Sequence, residues 1–135
     1  MAAMPAHRRS EILHRTAELI AVEKEELSQL LVLENGKTIR QCRSEMEATR
    51  RLFQDFSEEA KRIRGQYLPM DNVDGLERMF SITLRQPVGI VVGIIPFNYP
   101  AELFAHKIPG AIAAGCPVIV VPAEKKTKKS GNGSR

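Results

Sequence analysis

Residues 87–124, PVGIVVGIIPFNYPAELFAHKIPGAIAAGCPVIVVPAE, decide the fold. Val88 to Ile95 is a nearly unbroken run of Val, Ile and Gly. Such a run predicts a parallel strand buried on both faces, because a half-solvated strand alternates apolar with polar residues. Pro96 ends it. Pro100 is suited to open a helix, since its missing N–H and fixed φ cost nothing at the first helical position, and Gly115 is placed to close that helix in a left-handed cap. Pro109-Gly110 is expected to kink or break the helix. Pro117 to Val121 is the next strand, stopped by Pro122. A strand-helix-strand crossover puts the two strands parallel with their C-terminal ends on one edge, and that edge is where open α/β sheets bind ligands.

Upstream, the pattern is helical. Pro5 can begin a first helix, with Ile12, Leu13, Thr16, Leu19 and Ile20 on one face. Leu27, Leu30 and Leu31 belong to a second, ended by Asn35-Gly36, since both residue types tolerate the left-handed conformation. Thr38 and Gln41 have the spacing of a capping box. Behind them Ile39, Cys42, Met46, Thr49, Phe53, Phe56, Ala60 and Ile63 alternate spacings of three and four, which predicts a long third helix with a packed seam ending at Gly65. That seam fits a helix lying on its own chain or a coiled-coil dimer. Glu45, Glu47, Arg50 and Arg51 read as a solvated face with helix-spaced ion pairs. Residues 65–74 read as a polar connection and 76–86 as a strand, giving helices within 7–64 and strands with the βαβ unit within 76–122. The fold class is therefore α/β, with N-terminal helices packed on a partial parallel, Rossmann-like sheet.

Composition excludes several function classes. Of the 135 residues, 20 are Lys or Arg and 16 Asp or Glu, for a formal net charge of +4. Lys125, Lys126, Lys128, Lys129 and Arg135 all lie in a terminal stretch without an acid, so the positive balance belongs to residues 125–135 and leaves no basic face for nucleic acid on the rest. Two cysteines, Cys42 and Cys116, far apart, suggest neither a disulfide framework nor a zinc site, which fits a reducing, cytoplasmic setting. His7 and His14 are one heptad apart, too far for a helical metal pair, and no metal is expected. No segment has the apolar length of a membrane span.

Pro87-Val88-Gly89, the run into Ile95-Pro96-Phe97-Asn98-Tyr99-Pro100, Lys107, Ala111-Ile112-Ala113-Ala114-Gly115 and Pro122-Ala123-Glu124 together resemble the aldehyde dehydrogenase superfamily. Several spaced elements agree in order, and the resemblance extends more loosely back to His7 through Glu34-Asn35-Gly36-Lys37. It implies NAD or NADP as cofactor, an aldehyde as substrate, and a homo-oligomer when the protein is complete. In this family an Asn at the position of Asn98 donates its amide N–H to the oxygen that becomes negative when a cysteine adds to the aldehyde, a form of oxyanion stabilisation. On the residues alone, Asn98 could equally tie down the turn between the two prolines. Ile95, Pro96 and Phe97 would give the cofactor backbone groups and an apolar wall. Pro122 and Glu124 stand at the end of the next strand, where a carboxylate can accept from ribose hydroxyls; the bland alternative is a surface acid. Relatives usually carry a ribose-binding Lys where this chain has Val121. Lys107 matches a Lys near the family's active site, while on spacing alone it and His106 are solvent-facing helix residues.

The family's nucleophilic cysteine, its glutamate base and its pyrophosphate-binding turn come later in the chain than anything present here. Cys116 precedes a strand, at the edge opposite the ligand end, and reads as a buried structural thiol. The expectation is thus an incomplete aldehyde dehydrogenase-like domain over 1–124, catalytically incompetent alone, with a disordered basic tail over 125–135. The abrupt change after Glu124 suits a shifted frame, an early stop or an assembly error, in which case DNA beyond codon 125 encodes the missing helix, cysteine and glutamate. Two other classes stand beside it: a small helical interaction protein pairing through the 39–63 seam, and nucleic-acid binding through the lysine tail.

Overall fold

The computed structural model describes residues 1–123. Glu124 and the tail over 125–135 lie outside the described residues. Helices α1 (Ala6–Val22), α2 (Lys24–Asn35) and α3 (Ile39–Glu59) are followed by β1 (Gln66–Leu68), β2 (Ser81–Thr83), β3 (Val91–Ile94), α4 (Pro100–Ala113) and β4 (Val118–Val121).

Local chemistry sets each helix boundary. Pro5 is extended before α1. Gly36 closes α2 at φ 73°, its N–H donating to the Val32 carbonyl at 2.9 Å. The capping box of α3 is formed in both directions: Gln41 N–H donates to Thr38 Oγ1 at 3.3 Å, and Thr38 N–H to Gln41 Oε1 at 3.2 Å. α3 then lies at the centre, packed on α1, α2 and α4. Leu13, Ala17, Phe53, Ala60, Ala105 and Ala113 form one buried cluster, and Leu31, Cys42 and Met46 a second. The small residues let the helices approach closely around Leu13 and Phe53, whose burial contributes about 2 kcal/mol each.

Several boundaries and faces differ from expectation. On α1 the buried stripe is Ser10, Leu13 and Ala17, whereas Ile12 and Leu19 are 45% and 44% exposed. Ile12 sits one residue, about 100° of helical rotation, from Leu13, and Leu19 two residues, about 200°, from Ala17. α3 ends at Glu59 instead of Gly65; Lys61 N–H to Glu58 O and Arg62 N–H to Glu59 O tighten the last turn, leaving Ile63 exposed beyond it. The seam residues Cys42, Met46, Thr49 and Phe53 are buried against the chain's own helices, so the face that a coiled-coil partner would need is occupied. Glu45, expected in solvent, is buried within the same seam. Glu47 does form the expected ion pairs, with Arg50 at 2.8 Å, Arg51 at 3.2 Å and also Lys24 of α2 at 2.9 Å.

β3 and β4 pair in parallel with Val91 opposite Val118 and Ile94 opposite Val121. α4, which opens at Pro100, covers one face of them. At Gly93 a Cβ would come within 2.6 Å of Ile108 Cδ1, so any larger residue would force the end of the Ile108 side chain to move. The other face is not covered by the described residues: Val92 and Ile94 are 55% and 67% exposed, against the expectation of a strand buried on both sides. Val88 and Ile90 lie outside the strand, which is shorter than the apolar run. α4 also continues through Pro109. The ring is fully buried, and packing against α3 compensates the one backbone bond that proline cannot make. Gly115 follows in the left-handed conformation at φ 83°, as expected of the cap.

The segment read as a connection followed by a strand is an antiparallel pair, β1 with β2, Gln66 opposite Thr83. Its centre, residues 69–80, is a series of turns, including Gly75 at φ 83°, so the strand expected over 76–86 shrinks to Ser81–Thr83. Among the described elements this pair packs on no helix and on neither strand of the parallel pair.

Candidate functional site

The segment 96–99 leaves the C-terminal end of β3 and enters α4. Ile95 continues the ladder, its N–H donating to the Val121 carbonyl at 2.9 Å, and is buried. Beyond it the backbone is held carbonyl by carbonyl. Asn35 Nδ2 donates to the Phe97 carbonyl at 2.6 Å, and Lys37 Nζ to the Asn98 carbonyl at 2.8 Å while lying 4.0 Å from the centre of the Tyr99 ring. Lys37 is also paired with the buried Glu45, whose Oε1 accepts from the N–H groups of Ala101 at 3.0 Å and Glu102 at 3.4 Å. These two donors belong to the first turn of α4, where backbone N–H groups have no intrahelical acceptor and the helix dipole favours a negative charge.

Asn98 is exposed, and its side-chain amide has no hydrogen-bond partner among the described residues. The turn-tying bond that the residues alone allowed is absent; the main chain of the turn is fixed by Asn35 and Lys37. Lys107, one face of α4 further on, donates to the Ile94 carbonyl at the end of β3. His106 lies 3.9 Å from Glu102 on the same helix.

Beside the loop a 390 Å³ pocket is lined by Asn35, Ile95, Phe97, Phe104, Val120 and Pro122 among others. The structure thus brings Ile95, Phe97 and Pro122 to one predominantly apolar cavity at the strand ends. Pro96, Asn98 and Lys107 are beside it and do not line it. Val121, where the resemblance leads to the expectation of a Lys, is 42% exposed at the end of β4. Glu124 lies outside the described residues. Cys116 is buried at the N-terminal end of β4, away from this edge, and Cys42 is buried in the helical seam; both are free thiols. Among the described residues no group of three or more His, Cys, Asp or Glu is placed to hold a metal, and no helix is long and apolar enough to cross a membrane.

Sequence reasoning missed Asn35, Lys37 and Glu45 as parts of this site. The first two were seen only as a helix-ending turn. Glu45 carried a usable signal, since it sits three residues after Cys42 and four before Thr49, inside the apolar seam and not opposite it.

Comparison with known proteins agrees with the fold. The model of the aldehyde dehydrogenase family matches residues 1–130, somewhat further in both directions than the motifs reach. The 3-sulfolactaldehyde dehydrogenase of Priestia aryabhattai is 41% identical over 118 residues, which is 87% of this chain and 25% of that protein. An NAD-dependent aldehyde dehydrogenase from Sinorhizobium meliloti superposes with a TM-score of 0.82 at 32% identity, covering 90% of this chain and 24% of its own. The glyceraldehyde-3-phosphate dehydrogenase of Methanocaldococcus jannaschii, solved with NADP, gives 0.81 at 37% identity, covering 88% and 25%. The chain spans about a quarter of the length of these relatives.

Proposed function

Because the chain belongs to the aldehyde dehydrogenase family, we propose that it supplies the oxyanion-donor loop and one wall of the cofactor site of an NAD- or NADP-dependent enzyme that oxidises an aldehyde to a carboxylic acid. The observation that carries this reading is Asn98: an amide without a partner, on a loop whose backbone is fixed by three side chains from α2, the turn after it and α3. When a nucleophile adds to an aldehyde, the carbonyl oxygen becomes negative. A donor held in advance stabilises that charge without reorganising, and removing one such donor costs about 10²–10³ in rate.

The residues present fit a dinucleotide in part. Ile95, Phe97 and Pro122 offer an apolar wall at the strand ends, the place where α/β sheets bind such groups, and Pro96 beside them is assigned a backbone contact with the cofactor. Glu124 is assigned to the ribose hydroxyls. Val121 offers no cation, so affinity for the cofactor is expected to be weaker than a lysine would give. Bound NAD or NADP would accept the hydride. Lys107 is assigned a supporting role, holding the end of β3 through the Ile94 carbonyl. A complete enzyme of this kind is proposed to be a cytoplasmic homo-oligomer, with neither nucleic acid nor membrane as partner.

Neither cysteine of the chain can start the reaction from its buried place, so the 135-residue chain alone is expected to be inactive. The purified chain, mixed with NAD or NADP and a panel of aldehydes, should give no reduced cofactor above background. Steady reduction abolished by Asn98→Ala would overturn that expectation. When residues 1–123 replace the matching quarter of a full-length relative, Asn98→Ala should lower kcat about 10²–10³-fold; an unchanged kcat would remove Asn98 from the mechanism.

A further inference from the structure

We propose that Lys37 and Glu45 are positioning residues for Asn98, locking the 97–102 backbone so that the Asn98 side chain starts from a fixed main chain; the purpose of that lock, though not its existence, rests on the oxyanion reading above. Neither residue touches the cavity, and neither would meet a substrate. Their placement shows how they act.

The Glu45 side chain is fully buried and that of Lys37 only 13% exposed. An ammonium has three donors and a carboxylate four acceptor positions, and here most are committed to the segment that carries Asn98. Lys37 serves the Asn98 carbonyl, the Glu45 carboxylate and the face of Tyr99. Glu45 passes the connection on to the N–H groups of Ala101 and Glu102. The backbone is therefore gripped at Asn98 and again three and four residues later, from one bridge rooted in α3. Asn35 grips the residue before. Rotating the Asn98 peptide would break its bond to Lys37, and breaking that bond would leave a buried ion pair poorly compensated.

Stability alone is a weak explanation for such a pair. Removing two charges from water costs several kcal/mol each, so apolar residues of equal volume often stabilise a fold as well or better. Apolar residues could not hold a carbonyl and two N–H groups in a fixed relation. A buried carboxylate bridged to an ammonium does so, with bonds stronger than neutral ones.

Hydrogen exchange of the full 135-residue chain, read by mass spectrometry without aldehyde or cofactor, separates positioning from stability. Lys37→Met and Glu45→Gln should speed exchange over 97–102 about tenfold or more, the factor expected from losing a hydrogen bond to a charged group. Exchange in α1 and in the middle of α3 should stay unchanged, and Lys37→Arg should restore slow exchange over 97–102. Glu47→Gln, an ion-paired residue on the same helix with no link to the loop, should leave 97–102 unaltered. If either single variant fails to fold, Lys37→Met/Glu45→Gln removes both charges together and should still loosen 97–102. Wild-type protection of 97–102 in the variants, acceleration spread equally over α1 and α3, or an arginine chain as labile as the methionine chain would each overturn the proposal. The oxyanion reading stands or falls separately, on the kcat of Asn98→Ala.

Discussion

The two sides of the βαβ unit are finished to different degrees. On the side of α4, Gly93 meets Ile108, Ala105 and Ala113 meet Leu13 and Phe53, and α3 is covered by three helices. On the other side Val92, Ile94 and Ile119 are 55%, 67% and 52% exposed, and no described residue covers them. The same apolar residue types stand on both faces. What separates them is whether this chain brings its own cover, and the helical side does.

The contrast is open to direct attack. Phe53→Ala should cost the helical side the most, about 3–5 kcal/mol, because the ring fills the junction of α1, α3 and α4 and stacks on Phe104 with centroids 6.2 Å apart; chemical unfolding followed by circular dichroism measures it. A loss under 1 kcal/mol would show that the helices do not form one cooperative core.

An intermediate effect should come from the ion cluster joining α2 to α3. Hydrogen bonds from Arg50 and then Lys24 hold the Glu47 carboxyl down to about 2, from an ordinary 4.5. A depressed folded-state value contributes stability that is present above about 4.5 and lost as pH falls toward 2. Glu47→Gln should therefore flatten the acid limb of the stability curve in that window, by at most about 1 kcal/mol after solvent screening. Identical acid limbs for both chains would leave the cluster without energetic weight.

The bare face should respond least in stability and most in association. Val92 and Ile119 are partners in the parallel register. Val92→Thr with Ile119→Thr should change stability by no more than about 0.5 kcal/mol, as for exposed positions generally. It should reduce the concentration-dependent association expected of a long apolar face and open edges, read by sedimentation velocity. A wild-type chain that stays monomeric and unfolds cooperatively at ordinary concentration would contradict the description of this face as unfinished.

How much could be read in advance follows the same division. Helix ends were legible because their signals are local: Pro5, Asn35-Gly36, the Thr38 and Gln41 pair and Pro100 each act within a turn of their own position. The parallel strands were legible from continuous apolar content. Long-range placement was not. Hydrophobicity picked Ile12 and Leu19 for the α1 core, where the close approach of other helices favours Ser10 and Ala17. Glu45 was assigned to solvent by residue type although its spacing put it in the seam. Pro109 was expected to kink or break α4, and the helix runs on through it with the ring packed in the interior. The β1–β2 pair was hidden because its partners are separated by turns that read as loop. Within the site, Asn98 and the strand-end residues were named from motif resemblance, while the clamp that holds their backbone involves partners 56 to 62 residues away, beyond the reach of local pattern.

Arg9 donates to the Ala113 carbonyl at 3.0 Å, and Leu13 shares its core with Ala105 and Ala113. The core partners of α1 are thus spread over α3 and α4, and the last of them lie about a hundred residues further along the chain. At ordinary elongation rates of about 5–20 residues per second, α4 follows α1 by roughly 5–20 s, while α3 follows in about half that time. Leu13 is therefore partly covered by Phe53 and Ala60 before Ala105 and Ala113 complete its core.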